Sequence, residues 1–312
     1  MAIDVTDIIS EYGAYYLNSG QNMARLKRLY IFGRETTKFA TPIKTDNTVF
    51  QLGSSYLDEI VQPFQKDWTA KGNPKFKPNP IPLFHLKVDM DLWPDDIEAT
   101  WLGWLASNNL SRKDWPFVRY MLEYHVFNQI ENDLEMKAYY KGVFTAPTPG
   151  TAGAAADGMN GLQLLLKTLV PASNRLTITL NESTIYDDIE NAYDTLPEEY
   201  QNVPMIIGVA PKWKRAFLKD KRALGYYEHT GPGQIDDKLD FSPAQVVGLP
   251  SMIGTDDLFI TPRSNFLHVT KKGENSQNMR LEESKRCVSL MTDWWEGLGF
   301  GLNELVFTNV QP

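Results

Sequence analysis

The amino-acid sequence predicts an α+β fold, in which a first lobe of helix and sheet is interrupted by an α/β lobe. Three observations support this prediction. Residues 84–92 alternate apolar and polar side chains, as in a strand with one buried face. Residues 118–138 repeat apolar side chains at helical spacing, and residues 185–261 alternate helical with strand-like segments. A β-like tail from residue 266 onward then completes the first lobe.

Composition excludes several classes of protein. The chain has 312 residues, of which 42% are hydrophobic and 12% aromatic, enough for one large core or two smaller ones. The formal net charge of -8 argues against nucleic-acid binding by the whole surface, so any such contact must be local. The single cysteine, Cys287, cannot form an internal disulfide, which fits a reducing compartment. The N-terminus lacks a signal-peptide pattern, and no apolar run reaches the roughly 18 residues of a membrane span, so we expect a soluble, cytoplasmically made protein.

Residues 1–50 show a weak core pattern and contain a basic stretch. Between residues 21 and 45, six basic residues stand against one acidic residue, which gives the stretch a net charge of +5. The basic residues are Arg25, Lys27, Arg28, Arg34, Lys38 and Lys44. Such a segment is typical of an arm that lies on another surface, and an ordinary solvated face is the alternative.

Residues 51–92 predict a long β-hairpin. Its middle, Lys71-Gly72-Asn73-Pro74, has turn-forming residues, and residues 84–92 form the alternating later limb. Four prolines precede that limb, at positions 74, 78, 80 and 82, and proline cannot donate to a ladder. The limb is therefore an edge strand or a free arm. Because an isolated hairpin is only marginally stable in water, this one is expected to pack on a neighbouring molecule.

The remaining chain predicts a long helix, a loop, the α/β lobe and the β tail. The helix begins near Ser111 and stops at Gly142. Small residues dominate 146–161, which is the best candidate hinge. Strands are then predicted at 176–180 and 204–209, with helices beginning after Ser183 and at Pro211. A glycine-rich loop, residues 225–240, and the β tail follow.

No catalytic or cofactor motif stands out. The four histidines are at positions 85, 125, 229 and 268, and none has metal-ligand spacing. The sequence has no phosphate-binding glycine loop and no nucleophile elbow, and Gly297-Leu-Gly-Phe-Gly-Leu302 has neither phosphate-loop spacing. Adjacent acidic pairs lie mostly at helix starts or in loops, where solvation accounts for them. We expect no cofactor, no metal and no enzymatic activity, although an active site could be assembled from distant residues.

Several local stretches match one protein family. Residues 185–197, with Leu196-Pro197, and residues 204–220, which end in Lys219-Asp220, combine an amphipathic helix, a buried strand and a second helix. Val247-Gly-Leu-Pro250 follows them, and Trp93-Pro-Asp-Asp-Ile-Glu98 lies earlier with Trp101-Leu-Gly103. In this order the segments resemble the major capsid protein of tailed double-stranded DNA bacteriophages, the HK97 fold. The tryptophan-rich stretch resembles capsid proteins from phages of Bacteroidetes hosts.

The resemblance covers nearly the whole chain and implies a division into parts. These are an N-terminal arm (1–50), a hairpin called the E-loop (51–92), a peripheral or P-domain with a spine helix (93–160, helix about 112–141), an axial or A-domain (161–265) and a β return of the P-domain (266–312). The implied function is structural. Copies form hexamers and pentamers that tile an icosahedral virion shell, assembled in the host cytoplasm around double-stranded DNA.

The resemblance also implies contact residues. The E-loop lies over a neighbouring subunit, with expected contacts at Lys66, Trp68, Lys71, Lys75, Phe76 and Lys77, although the lysines could simply keep an edge soluble. The six basic arm residues would meet acidic neighbours or DNA phosphates. The loop at the capsomer axis is expected to present Tyr226, Tyr227, His229, Asp236 and Asp237. Portal, scaffolding and decoration proteins are further expected partners, and we expect no membrane partner and no covalent crosslink.

Three alternatives remain open from the sequence. An encapsulin, a bacterial cargo shell of the same fold, would hold an enzyme instead of a genome. A two-lobed α/β enzyme with an unrecognised site would be a compact monomer. Another phage structural part, such as a tail protein, would form tubes or rings.

Overall fold

The computed structural model describes residues 34–57, 59–110, 115–225, 229–231, 234–272 and 279–312. Its α-helical segments are α1 (Glu35–Lys38), α2 (Pro94–Ser107), α3 (Phe117–Arg119, Tyr120–Val126, Phe127–Asp133 and Leu134–Ala138, with π-helical second and fourth parts), α4 (Leu162–Leu169), α5 (Ile185–Asp194), α6 (Glu198–Gln201) and α7 (Pro211–Leu224). The strands are β1 (Thr41–Thr45), β2 (Val49–Leu57), β3 (Pro74–Pro82), β4 (Phe84–Leu92), β5 (Met205–Val209), β6 (His229–Gly231), β7 (Gln234–Ile235), β8 (Gln245–Gly248), β9 (Leu258–Pro262), β10 (Phe266–Lys271), β11 (Arg280–Ser284), β12 (Cys287–Phe300) and β13 (Phe307–Thr308). Short 3-10 turns lie between them.

The first lobe is built on a five-stranded sheet whose centre is the long strand β12. β10 and β11 pair antiparallel with its two ends, β1 joins parallel to β10, and β4 pairs along its other side. The predicted alternation of β4 is confirmed, because Phe84 and Leu92 are buried while His85 and the other odd-numbered residues are exposed. As predicted, β4 is an edge strand. It does not form the free limb of the hairpin, however, since it is bonded to β12 from residue 84 to residue 92.

The hairpin that projects from this sheet consists of β2 and β3. They pair from Val49 with Pro82 to Leu57 with Pro74, and residues 59–73 of the connection between them are exposed. The sequence prediction took β4 as the later limb of the hairpin, whereas the structure has β3 in that position. The reason is that β4 alternates clearly, while the proline-rich β3 does not resemble a strand. All four prolines of β3 occupy even positions, so they alternate with residues that can bond to β2.

The root of the hairpin lies directly against β12. Gly297 and Gly299 make this possible, since a Cβ on Gly297 would meet the carbonyl oxygen of Pro82 at 2.3 Å and one on Gly299 would meet the side chain of Ile81 at 2.7 Å. Asn79 adds hydrogen bonds from its side-chain amide to the carbonyl oxygens of Phe300 (2.6 Å) and Gly301 (2.9 Å). The glycine repeat is therefore a contact surface for the hairpin.

The spine helix α3 supports the opposite side of the sheet. Its helical path from Phe117 to Ala138 is about 33 Å long at ~1.5 Å per residue. The predicted start at Ser111 lies outside the described residues, and the predicted stop is confirmed by the bond from the Gly142 amide to the Ala138 carbonyl (3.1 Å). The buried apolar residues of this helix recur at helical spacing: Phe117, Tyr120, Met121, Leu122, Val126, Phe127, Ile130, Leu134 and Ala138.

The second lobe contains a four-stranded sheet in the order β13-β9-β5-β8. Strands β5 and β9 are buried along their whole length. Helix α7 connects β5 to the parallel strand β8, and α5 packs beside α7. The predicted strand at 176–180 is not part of the sheet. Isolated bonds join it to the end of the chain, from the Leu176 amide to the Thr308 carbonyl (2.8 Å) and from the side-chain amide of Asn309 to the Ile178 carbonyl (3.3 Å).

The two ends of the chain cross the predicted part boundaries. Strand β1 falls within the predicted arm 1–50, yet it is integrated into the first sheet beside β10. Strand β13 falls within the predicted β return 266–312, yet it pairs with β9 of the second sheet. Each lobe is thus completed by a segment from a distant part of the chain.

Replacing Gly297 by alanine is expected to destabilise the folded chain by about 1–3 kcal/mol, because the new methyl group has no room beside the Pro82 carbonyl. Gly53→Ala, on the hairpin itself, is the matched control. A Cβ there meets no atom within 4 Å, and alanine should be neutral or slightly stabilising in a strand. Urea denaturation of both variants checks this. Equal stability of the two would contradict the close contact between hairpin and sheet.

Candidate assembly surfaces

The hairpin tip, residues 57–76, exposes large apolar side chains. Phe64 is 93% and Trp68 94% exposed, and Val61 and Phe76 are more than three-quarters exposed. Folded monomers rarely present such a group together, so the tip has the composition of a contact surface. Trp68 and Phe76 were predicted as contact residues, and their role in contact stays a prediction. Val61 and Phe64 were missed, since the Ile60-Val-Gln-Pro-Phe64 run has no periodicity to mark it.

The lysines of the hairpin divide into two kinds. Lys71 donates to the Val61 carbonyl (2.8 Å) and lies 3.2 Å from a Glu59 carboxylate oxygen, and Lys77 bonds Glu304 at 2.6 Å. These two hold the shape of the hairpin within its own subunit. Lys66 and Lys75 are exposed, and their role in contact with a partner stays a prediction.

Of the six predicted basic arm residues, Arg34 requires a correction. It is fully buried, and its guanidinium donates to Glu296 at 2.7 Å and to the hydroxyl of Tyr139. Its guanidinium is therefore enclosed by its own subunit and is not presented on the surface for DNA or a neighbour. Lys38 pairs with Glu35 on the surface and Lys44 is exposed on β1. Arg25, Lys27 and Arg28 lie outside the described residues.

Arg34 and Glu296 form the centre of a buried polar cluster. His268 lies 3.3 Å from the same Glu296 oxygen, and the Tyr139 hydroxyl is 3.3 Å from it as well. Burial alone would raise the pKa of Glu296, but the charge of Arg34 and the hydrogen bond from His268 lower it to about 2. The carboxylate is thus ionised in the folded protein, and it fixes Arg34 between the spine helix and the sheet.

A second bond set holds the turn that follows Arg34. The Thr36 amide donates to Glu135 of the spine helix at 3.1 Å, and its hydroxyl bonds Ser251 of the second lobe at 2.8 Å. Burial raises the pKa of Glu135, against the lowering effect of the Thr36 hydrogen bonds. Residues 34–37 therefore join the spine helix, the first sheet and the second lobe.

The predicted capsomer-axis loop is described only in part. Tyr226 and Tyr227 lie outside the described residues, and His229 lies in the short strand β6. Asp236 accepts from the Lys238 amide (3.2 Å), and Asp237 pairs with Lys214 at 3.0 Å. Both carboxylates are used within the subunit, which ties the base of this loop to α7. Whether the loop surrounds an axis stays a prediction.

A groove of about 720 Å³ runs beside the edge strand β4. Its lining combines apolar side chains, including Met291, Trp295 and Phe144, with the carboxylates of Asp89 and Asp293. His85 stacks on Trp295 at a centroid distance of 4.4 Å and bonds Asp293 at 2.7 Å. This is an amphipathic surface of the kind found where proteins meet.

Within the described residues, no group of three or more histidine, cysteine, aspartate or glutamate side chains is arranged to hold a metal ion. Over the same residues, no helix combines the length and apolar character required to cross a bilayer.

Comparison with solved structures shows similarity over nearly the whole chain. A chain of the satellite phage P4 procapsid that includes the size determination (Sid) protein aligns with a TM-score of 0.59 and 12% identity, covering 96% of this chain and 95% of that one. A chain from the holo-SrpI encapsulin complex of Synechococcus elongatus PCC 7942 gives 0.52 at 11% identity, covering 88% and 85%. One from the capsid of an empty GTA particle gives 0.51 at 13%, covering 88% of each. No protein-family model and no curated protein matches the sequence.

These similarities confirm the predicted α+β, HK97-like capsid fold. At this level of identity they establish the fold and leave the function to be argued from the surfaces. The particular likeness to phages of Bacteroidetes hosts stays a prediction.

The buried carboxylate predicts a pH-dependent stability. The pKa of Glu296 is lower in the folded than in the unfolded chain (about 2 against 4.5), so its contribution is complete above about pH 4.5 and is lost as the pH falls through about 2. Glu296→Gln should therefore lose on the order of 3 kcal/mol at neutral pH, a deficit that shrinks as the pH falls. Urea denaturation between pH 7 and pH 2 measures it.

Glu282→Gln, at an exposed carboxylate of β11, is the matched control and should track the wild-type protein at every pH. A deficit of Glu296→Gln that stays constant from neutral to acid pH would show that Glu296 is not a paired carboxylate.

Proposed function

We propose that this chain is the major capsid protein of a tailed bacteriophage, a structural subunit that assembles as hexamers and pentamers into an icosahedral head around double-stranded DNA. The observation that carries the proposal is the hairpin tip, whose aromatic side chains are exposed at the far end of a ribbon that its own subunit holds at the root and through the bond from Lys77 to Glu304. The shared fold of procapsid and capsid chains supports it. In this role the chain acts as a building block rather than an enzyme.

The energetics favour a lattice over a monomer. Each large apolar side chain that moves from water into an interface contributes about 1.5–3 kcal/mol. In the isolated chain, Phe64 and Trp68 contribute almost none of this burial free energy, because both side chains are over 90% exposed. A closed shell repeats one contact in every copy, so even a modest contact per subunit stabilises the whole particle.

The groove beside β4 has the chemistry to receive the tip of a neighbouring copy. Its apolar floor at Trp295 and Met291 suits the rings of Phe64 and Trp68, while its carboxylates, Asp89 and Asp293, pair with Lys87 and His85 of the same groove. The apolar surfaces of the tip and the groove are thus complementary.

Other partners follow from the same role. Lys38 and Lys44, with the arm residues before them, are the candidates for contact with neighbours or packaged DNA, and Arg34 is not. Portal and scaffolding proteins, with a decoration protein as a further option, would complete a head assembled in the host cytoplasm and found in the virion. The chain would require no cofactor and no membrane.

The purified full-length chain tests the proposal by electron microscopy combined with nuclease treatment of the particles. Icosahedral shells that protect double-stranded DNA when isolated from infected cells support it. Shells that hold a protein cargo and no genome would identify an encapsulin, and a stable monomer, a tube or an open ring as final product would also contradict it.

Truncating the hairpin tip should block assembly without unfolding the subunit. Phe64→Ala/Trp68→Ala removes two exposed rings, so the free energy of unfolding should change by less than about 0.5 kcal/mol. The concentration needed for assembly should rise at least about tenfold, because the lost contact is worth more than 1.4 kcal/mol. Light scattering and circular dichroism measure the two effects.

Asn73→Ala, an exposed polar change on the same hairpin, is the control and should assemble normally. Normal assembly of the double aromatic variant would exclude the tip as a contact surface.

A further inference from the structure

Two neighbouring segments of the second lobe carry opposite charge. Residues 185–203 contain six acidic residues and no basic residue. The acidic residues are Asp187, Asp188, Glu190, Asp194, Glu198 and Glu199. Helix α7, residues 211–224, contains six basic residues and one acidic residue. In a chain of net charge -8, a helix of net +5 beside a segment of net -6 is a marked separation of charge.

The basic residues of α7 form one exposed stripe. Lys212, Arg215, Lys219 and Arg222 follow at spacings of three and four residues, so they lie on one helical face about 15 Å long. All four are exposed, and the opposite face is buried at Trp213 and Phe217.

Two other cations of α7 are already neutralised, which sets the stripe apart. Lys214 pairs with Asp237, and the buried Lys221 pairs with Asp240 at 2.8 Å. In the stripe, Lys212 makes an exposed pair with Glu182. Arg215, Lys219 and Arg222 have no ion pair among the described residues.

The acidic segment is equally uncompensated. Asp187, Asp194, Glu198 and Glu199 are exposed and form no ion pair with the described part of the chain. Burial and the charges of Asp194 and Asp187 raise the pKa of Glu190, which shows that these carboxylates repel one another. A counter-charge supplied from outside the subunit would relieve that repulsion.

The acidic segment begins beside α7, where Tyr186 of α5 stacks on Phe217 at a centroid distance of 5.4 Å, and its far end, Glu198 to Tyr200, reaches the opposite edge of the second sheet. Helix α7 packs on the edge strand β8, where a Cβ on Gly248 would lie 3.3 Å from Lys214. The acidic segment ends at Tyr200, whose ring lies 6.1 Å from Phe307 of β13, the other edge strand. A subunit with two different, complementary sides is suited to head-to-tail rings.

We infer that the basic stripe of α7 in one copy contacts the acidic segment 187–199 of the next copy around a ring. The inference rests on the proposed function, since it names the contact by which subunits of a capsomer select their register. A nucleic-acid role for the stripe is less favoured, because the acidic segment in the same helix layer would repel a polyanion. Charge complementarity of this kind fixes register and speeds association.

The test uses two full-length variants, Arg215→Glu/Lys219→Glu and Asp194→Lys/Glu198→Lys. When either variant assembles alone, every contact between the stripe and the acidic segment joins like charges. Its rings should therefore form only at concentrations at least about tenfold higher than those of the wild-type chain. Mixed in equal amounts, the two variants alternate around an even-numbered ring and restore opposite charges at every contact. Ring formation in the mixture should return to within about twofold of wild type. Sedimentation velocity and native mass spectrometry count the subunits.

Lys285→Glu/Arg286→Glu, in the exposed turn between β11 and β12, is the matched charge control and should form rings normally. Circular dichroism confirms folding. If a reversal variant does not fold, the neutral pairs Arg215→Gln/Lys219→Gln and Asp194→Asn/Glu198→Gln replace it. Each neutral variant should then show a smaller loss of ring formation, and mixing the two should not restore it.

Three results would overturn the inference. Failure of the mixture to form rings while the wild-type chain does so would reject this contact and leave the proposed function standing. Normal rings from Arg215→Glu/Lys219→Glu with reduced packaged nucleic acid would assign the stripe to DNA instead. A wild-type chain that remains monomeric at every concentration would reject both the contact and the proposed function.

Discussion

The hairpin of β2 and β3 is constrained at one end only, and the architecture follows from that constraint. Gly297 and Gly299 let its root lie on the central strand, while its tip carries Phe64 and Trp68 into solvent. A hairpin alone cannot bury both faces of its tip. Its exposed apolar side chains are therefore removed from water only when another surface covers them. In the part of the chain that the structure describes, a folded body thus carries a projecting segment whose burial depends on a partner.

The segment from Arg34 to Thr45 has the opposite character. Its first residue, Arg34, is buried against Glu296 and Tyr139, and its strand β1 completes the first sheet. Removing one member of such a pair leaves a buried charge unpaired, so the cluster is costly to break. Because the same segment also bonds Ser251, it holds the two lobes in one arrangement. This rigid body is what allows a projecting hairpin to meet a neighbour in a fixed geometry.

Local pattern in the sequence predicts much of this fold. The alternation of β4, the apolar row of the spine helix and the buried strand β5 are each contained in one short window, and all are confirmed. The failures involve partners far away in sequence. Arg34 has the same local appearance as any arm cation, and its partner Glu296 lies 262 residues later. Likewise, it is β3 and not β4 that pairs with β2. This pairing depends on which side of β3 the prolines face, because proline has no backbone N–H to donate. At the tip, Trp68 was predicted from the resemblance to the capsid family, whereas Phe64 belongs to a run without a period.

The central claim is that the tip of the hairpin is buried by another copy of this chain. Hydroxyl-radical footprinting of Phe64 and Trp68, in assembled particles and in the unassembled subunit, measures this directly. The account predicts strong protection of both rings in particles, at least about fivefold, because a covered aromatic side chain loses nearly all of its contact with water. Equal labelling of the two rings in particles and in free subunits would contradict it.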